Sequence, residues 1–264
     1  MSDEPQTMAS PDFPRVLVPV DHIEPAPRRI RGILNGEWVL DTTHAKYVWE
    51  WSHYPHYYVP LDDIRQDFLV DEHDIEEFKL GSARQYGLRV GDNYRAGVVR
   101  VHIDPSKEGL VNMVRIDWQA LDTWFEEDEE VFVHPRDPYT RVDALRSTRH
   151  VRVELNGELL AETRSPVLVF ETGVPTRFYL NRAEVHLGRL IPTETVTACP
   201  YTGRTSNYWS VRIGDTLHED VAWAYDFPSH LLQPIAGMVC FFNEKVDLVV
   251  DGKRLPRPQT RWSK

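Results

Sequence analysis

What this chain lacks narrows it first. Two cysteines among 264 residues, Cys199 and Cys240, exclude a disulfide framework and a four-thiolate zinc site. No apolar run reaches the ~18 residues that a bilayer-spanning helix needs. The opening MSDEPQTMASPDFP has neither the basic start nor the apolar centre of a secretory signal. It reads as a partly disordered lead-in to a cytoplasmic protein. A net charge of −11 provides no clustered positive surface for phosphate backbones, so no nucleic-acid or membrane partner is expected. A Gly-rich phosphate loop is missing, and no carboxylate pair is spaced for magnesium. His44, His53 and His56 have no acidic or thiolate partner at ligand spacing, so no metal and no cofactor are expected.

The charge is uneven. Residues 1–143 carry 28 acidic against 15 basic residues, and residues 144–264 carry 13 against 15. The run Glu126–Glu130 supplies part of that acidity and reads as a solvated face. On this balance the second half is the better host for a small anion.

The sequence also contains a repeat. Residues 30–69 lie on 151–190 at a constant offset of 121, with 10 of 40 positions identical, among them Leu34/Leu155, Asn35/Asn156, Gly36/Gly157 and Tyr58/Tyr179. GLRVGD (87–92) then falls on SVRIGD (210–215), and RVD (141–143) on KVD (245–247). The expected layout is an extension over 1–29, a first domain over 30–143, a linker over 144–150, a second domain over 151–253 and a tail over 254–264. Each copy reads as β-rich. Asn-Gly between β-favouring residues predicts a hairpin in both, because both turn residues tolerate positive φ. Met238–Phe242 and Val246–Val250 predict a closing hairpin through Asn243–Lys245. Asn181 with Glu184 suggests a helical cap, and DWQALDTWFEE from Asp117 a short amphipathic helix.

LNGE, RFYLNRAEV, CPYTG with YWSV, and AWAY before KVD together resemble the DUF427 family in a tandem form, over residues 30–253. That resemblance implies a mainly β fold of small antiparallel sheets of the Mss4-like, or β-tent, kind. Two copies of shared origin are expected to bury complementary faces and pack as a pseudo-dimer, in a monomer or weak homo-oligomer. The nucleotidyltransferase label sometimes attached to the family has no phosphate-binding signature here to support it.

The stretch TACPYTGRTSNYW carries the candidate chemistry. Counted through the repeat, Cys199 falls near Glu77, and CPYTG on EFKLG, so the position reads as a surface or pocket wall where the copies have diverged. A thiol beside Arg204, Arg177 or Arg182 is a candidate nucleophile, with Glu219 as candidate base; an inert packed thiol is the competing reading. Arg177 and Arg182 are candidates for holding an anionic group. Tyr179, Tyr201, Tyr208, Trp209 and Trp223 are candidate pocket walls, or else sheet packing. The proline-held loop 131–143 offers His134, Arg136 and Tyr139 as a roof, with no counterpart in the second copy. The functional expectation is a small-molecule pocket in the second domain, acting on an anionic or aromatic metabolite through Cys199. A non-catalytic binding module for a small molecule or peptide is the alternative, and a structural or assembly protein a third.

Overall fold

A computed structural model describes Pro14, residues 18–107 and residues 109–263. The expected disorder of the first residues thus falls largely outside the described residues. The chain divides into two compact units, one of residues 17–137 and one of residues 1–16 with 138–264. Among the described residues no helix is long and apolar enough to cross a membrane, and every helical turn is of the 3-10 kind.

In the first unit the strands are β1 (Ile23–Pro25), β2 (Ile30–Leu34), β3 (Glu37–Thr42), β4 (Lys46–Val48), β5 (His56–Pro60) and β6 (Leu69–Phe78). After them come β7 (Gly81–Val90), β8 (Asn93–Pro105), β9 (Met113–Ile116), β10 (Thr123–Glu126) and β11 (Glu129–Val131). They form a seven-stranded sheet, β1-β4-β5-β9-β8-β7-β6, and a four-stranded sheet, β11-β10-β2-β3. The second unit holds β12 (Val142–Arg146), β13 (Val151–Leu155), β14 (Glu158–Thr163), β15 (Val167–Glu171), β16 (Arg177–Leu180) and β17 (Leu190–Thr193). Next are β18 (Ala198–Cys199), β19 (Gly203–Arg204), β20 (Asn207–Ile213), β21 (Thr216–Ala224), β22 (Val239–Phe241), β23 (Asp247–Val250) and β24 (Lys253–Arg254). Its sheets run β12-β15-β16-β22-β21-β20-β17 and β14-β13-β23-β24, beside a small β18-β19 hairpin. The two units share one strand order.

The repeat extends to register. Ile30 faces Thr42 and Val151 faces Thr163, and both pairings slip after the third residue, at Gly32/Ile33 and at Val153/Glu154. Asn35 and Gly36 have φ of 51° and 79°, Asn156 and Gly157 50° and 84°, as a two-residue hairpin turn with positive φ at both positions requires. The Thr42 hydroxyl donates to Asp63 at 2.5 Å, and Thr163 to Glu184 at 2.7 Å.

Where single-strand reasoning failed, the cause is long-range pairing. RVD (141–143) does not end the first copy: Val142–Arg146 pairs with β15, as β1 pairs with β4, so the strand opens the second copy and takes up part of the expected linker. β1 likewise begins inside the expected extension, and β24 runs one residue into the expected tail. Met238–Phe242 and Val246–Val250 form no hairpin, because β22 pairs with β16 and β21 while β23 joins the other sheet. The chain crosses between layers at Asn243–Val246. Of the helix proposed from Asp117 only the turn Trp118–Ala120 forms; Thr123–Glu126 alternates its burial as a strand, and Trp124 Nε1 donates to the Trp118 carbonyl at 2.9 Å. Asn181 precedes the turn Arg182–Glu184 without capping its backbone, its amide donating to Glu184 Oε2 at 3.2 Å instead.

EFKLG and CPYTG both end in a glycine of similar conformation, Gly81 at φ +105° and Gly203 at φ +101°. A Cβ at Gly81 would meet the Asp104 carbonyl oxygen at 2.3 Å, whereas one at Gly203 meets nothing closer than 3.5 Å. Gly203→Ala is therefore expected to cost only backbone strain, about 1–2 kcal/mol, and Gly81→Ala clearly more. Equal losses in chemical denaturation would contradict this difference between the surroundings of the two glycines.

Each unit buries one cluster between its two sheets: Leu34, Trp49, Leu88 and Trp124 in the first, Leu155, Phe178, Leu180 and Phe241 in the second. The other face of the large sheet separates the copies. Across the second unit the pairing row runs Val167, Tyr179, Cys240, Trp223, Tyr208, all in one apolar cluster. Across the first the same row runs Lys46, Tyr58, Arg115, Arg100, Gln85. One fold carries an aromatic face in one copy and a charged face in the other.

Candidate functional site

Tyr179, Tyr208 and Trp223 do come together, but as core. They are 2%, 6% and 6% exposed, and Trp223 Nε1 donates to the Tyr179 hydroxyl at 3.3 Å. Trp209 points the other way, into the cluster between the sheets, because neighbouring strand residues alternate faces. Arg177 is buried and donates to Glu244 through both terminal nitrogens, at 2.7 and 2.9 Å. Its guanidinium lies over the rings of Trp223 and Phe242, each 5.6 Å from its carbon, and of Trp262 at 5.2 Å. Arg182 is bonded to the Gly237 carbonyl, Asn207 and Asp226, with its guanidinium 5.7 Å from the Trp209 ring. Both guanidinium groups are already paired with carboxylates of the second unit.

Cys199 is partly accessible, yet its surroundings oppose a thiolate. Burial, reinforced by the Glu171 carboxylate, pushes the thiol up to about 11, against hydrogen bonds from Thr202 and Tyr201 that pull it down. Cys240 is fully buried, and burial pushes it up to about 12. Glu219 is exposed, with its carbonyl accepting from Lys245 at 3.0 Å. Tyr201 is half-buried, its carbonyl accepting from the Ser229 hydroxyl at 2.6 Å. No cavity is lined by Cys199 together with these groups among those described. The polar group that the sequence reading passed over is Glu171, whose carboxyl burial raises to about 7 despite the opposing charges of Arg177 and Arg261.

The larger described cavity, of about 560 Å³, lies within the first unit. Its walls are Tyr54, His56 and Tyr57 around the start of β5, Arg115–Ala120 from the end of β9 onward, Arg95, Ala96 and Val98 on β8, Trp124, and Val133–Pro135. Tyr54 and His134 stack face to face, 3.6 Å apart and 4° from parallel. Trp118 and Trp124 stack at 5.1 Å and 12°. His134 thus lines a site, though in the first copy; Arg136 lies 3.4 Å from Glu129 and 3.7 Å from Glu126, and Tyr139 belongs to the second unit.

Polar groups meet at the edge of this cleft. Arg115 bonds Asp117 and lies 2.7 Å from Glu50, which also accepts from the Tyr58 hydroxyl at 3.1 Å. His56 Nδ1 is buried, 3.6 Å from Glu50 and without a hydrogen bond. Burial, with Arg115 adding to it and Glu50 opposing, pushes His56 down to about 4, so the ring is neutral at pH 7. Arg95 donates to the Gln119 carbonyl at 2.7 Å and to Asp122 at 2.8 Å. The arrangement offers ring surfaces, compensated guanidinium groups and one neutral imidazole with an unused nitrogen. It suits binding better than nucleophilic attack.

A signal for this site existed in the repeat. Glu50 and Glu171 are one of its identities, and His56 falls on Arg177. From sequence alone His56 stands out only as a candidate metal ligand beside His44 and His53.

Compared with known proteins, the chain matches a family model described as a domain of unknown function, DUF427, over residues 22–127 and again over 143–252. No curated protein matches it.

Proposed function

The chain belongs to the DUF427 family, as two tandem copies, and from that premise we propose that it is a small-molecule-binding protein whose ligand occupies the first copy's cleft. The observation that carries this reading is the aromatic cleft itself, about 560 Å³, with His56 neutral and its Nδ1 unsatisfied at the rim. Clefts of that size, with several ring and aliphatic walls and a few fixed polar groups, are what drug-sized ligands occupy. The stacked pairs favour a flat ring, which fits against an aromatic wall with little loss of conformational freedom. His56 favours a hydroxyl on that ring, since a buried nitrogen without a hydrogen bond gains most from a partner. Cysteine chemistry in the second copy drops out, because a thiol raised to about 11 is almost wholly protonated at pH 7.

A panel of hydroxybenzoates and indoles, set against aliphatic acids, tests the proposal by thermal shift. Aromatic members are expected to stabilise the wild type, and Trp118→Ala is expected to weaken the best of them by about tenfold or more, as loss of one stacking wall implies. Uniform indifference to the whole panel, or unchanged affinity in Trp118→Ala, would refute it.

A further inference from the structure

The second copy has a counterpart of the cleft, and the chain itself fills it. Pairing places His56 on Arg177, Tyr58 on Tyr179, Arg115 on Cys240 and the Asp117–Gln119 segment on Phe242–Glu244. In both copies the segment after the last strand returns to this place. In the first it brings Val133–Pro135 to the cleft, with His134 stacked on Tyr54. In the second it brings Thr260 and Trp262, so the second copy does have a counterpart of the 131–143 loop. Trp262 is half-buried against the aromatic cluster, with the Arg177 guanidinium 5.2 Å from its ring. The Thr260 hydroxyl donates to Glu244 Oε1 at 2.7 Å, and the Trp262 amide donates to that hydroxyl at 3.1 Å.

We propose that this is a latent second binding site, held closed by the chain's own C-terminal segment, and that its ligand class is a flat aromatic ring with a hydroxyl or N–H beside it. The ring takes the place of the Trp262 indole over Arg177, and the donor takes the place of Thr260 on Glu244. Three features of the contact read as recognition rather than packing. A guanidinium held by a carboxylate lies over a ring, its carbon 5.2 Å from the centroid, within the range of cation–π attraction, which grows when the pair is desolvated. Glu244 has a fully buried side chain that accepts from Arg177, from its own backbone amide and from the Thr260 hydroxyl, which the segment supplies from outside the sheet. The segment after β24 supplies no strand to either sheet, so releasing it uncovers the site without unfolding the sheets. This inference stands on the second copy alone and does not require that the first-copy cleft be occupied.

Full-length Trp262→Ala, with indole as the probe and hydrogen exchange as the readout, tests it. Indole is expected to bind the variant at least tenfold more tightly than the wild type, and to protect amides of Arg177–Leu180 and Val239–Glu244. In the wild type, indole at high concentration is expected to displace the segment and speed exchange at the Trp262 amide. That second measurement stands even if the variant folds poorly. Equal affinity in the two proteins, or protection confined to residues 54–57 and 113–120, would overturn the latent site, and the latter result would still favour occupancy of the first-copy cleft.

Discussion

Arg177→Met is expected to destabilise the second unit by about 3–5 kcal/mol, the usual cost of leaving one partner of a buried pair uncompensated. Glu244 has a side chain with no exposure, and Arg177 one of 9%. Burial alone would raise the Glu244 carboxyl; the hydrogen bonds and charge of Arg177 overcome it and hold it below the ordinary range. Without the guanidinium only the Thr260 hydroxyl remains as a side-chain donor to this carboxylate among the bonds described. The loss is therefore expected to shrink as pH falls and Glu244 takes up a proton. Adding Glu244→Gln to Arg177→Met is expected to recover part of it, since an amide is far less costly to bury than a carboxylate. Urea denaturation of the three proteins checks this, and a cost below about 1 kcal/mol for Arg177→Met would mean that the pair is solvated.

The second large effect is on pH dependence. His56 sits near 4 in the folded protein against about 6.5 when unfolded. Between those values the unfolded chain holds a proton that the folded chain refuses, so falling pH favours unfolding. The contribution is whole above about pH 6.5 and is lost as pH falls towards 4, a change of about 3 kcal/mol. His56 faces Glu50, Arg115, Asp117 and Arg100, and its side chain is 21% exposed. Glu171, raised to about 7, acts with the opposite sign, giving stability below the ordinary carboxylate range that is lost as pH rises through 7. The wild-type profile alone mixes the two. The difference between wild type and His56→Gln, followed from pH 7.5 to 4.5, isolates the histidine, and a flat difference would contradict its buried neutral state.

How much of this was legible in the sequence depends on the range of the interaction. The Asn-Gly turns are local, decided by two residues that tolerate positive φ, and the repeat could be read to the residue over its first forty positions. The fate of Asn243–Val246 was not local. An apolar run, a polar turn and a second apolar run describe a hairpin and a crossover equally well, and only pairing with β16 and β13 decides between them. At the site the same limit applies. Tyr208, Trp209 and Trp223 looked like one wall, although strand parity alone separates Tyr208 from Trp209. Arginines and tyrosines at strand positions look alike whether they line a pocket or seal a core. What separates them here is Glu244, 67 residues from Arg177 in sequence and in contact with it in space. The informative comparison was internal. Position by position, the repeat sets a neutral His56 against a charged Arg177, while the paired strands set Arg115 against Cys240 and Arg100 against Trp223, a charged face against an apolar one.

The central claim is that ligand binding belongs to the first copy's cleft and not to the Cys199 region. Hydrogen exchange with and without the best aromatic compound from the thermal-shift panel tests it most directly. Protection is expected at residues 54–57, 95–98 and 115–120, with no change at 198–209 in the wild type. Protection centred on Cys199, with residues 54–57 and 115–120 unaffected, would contradict it.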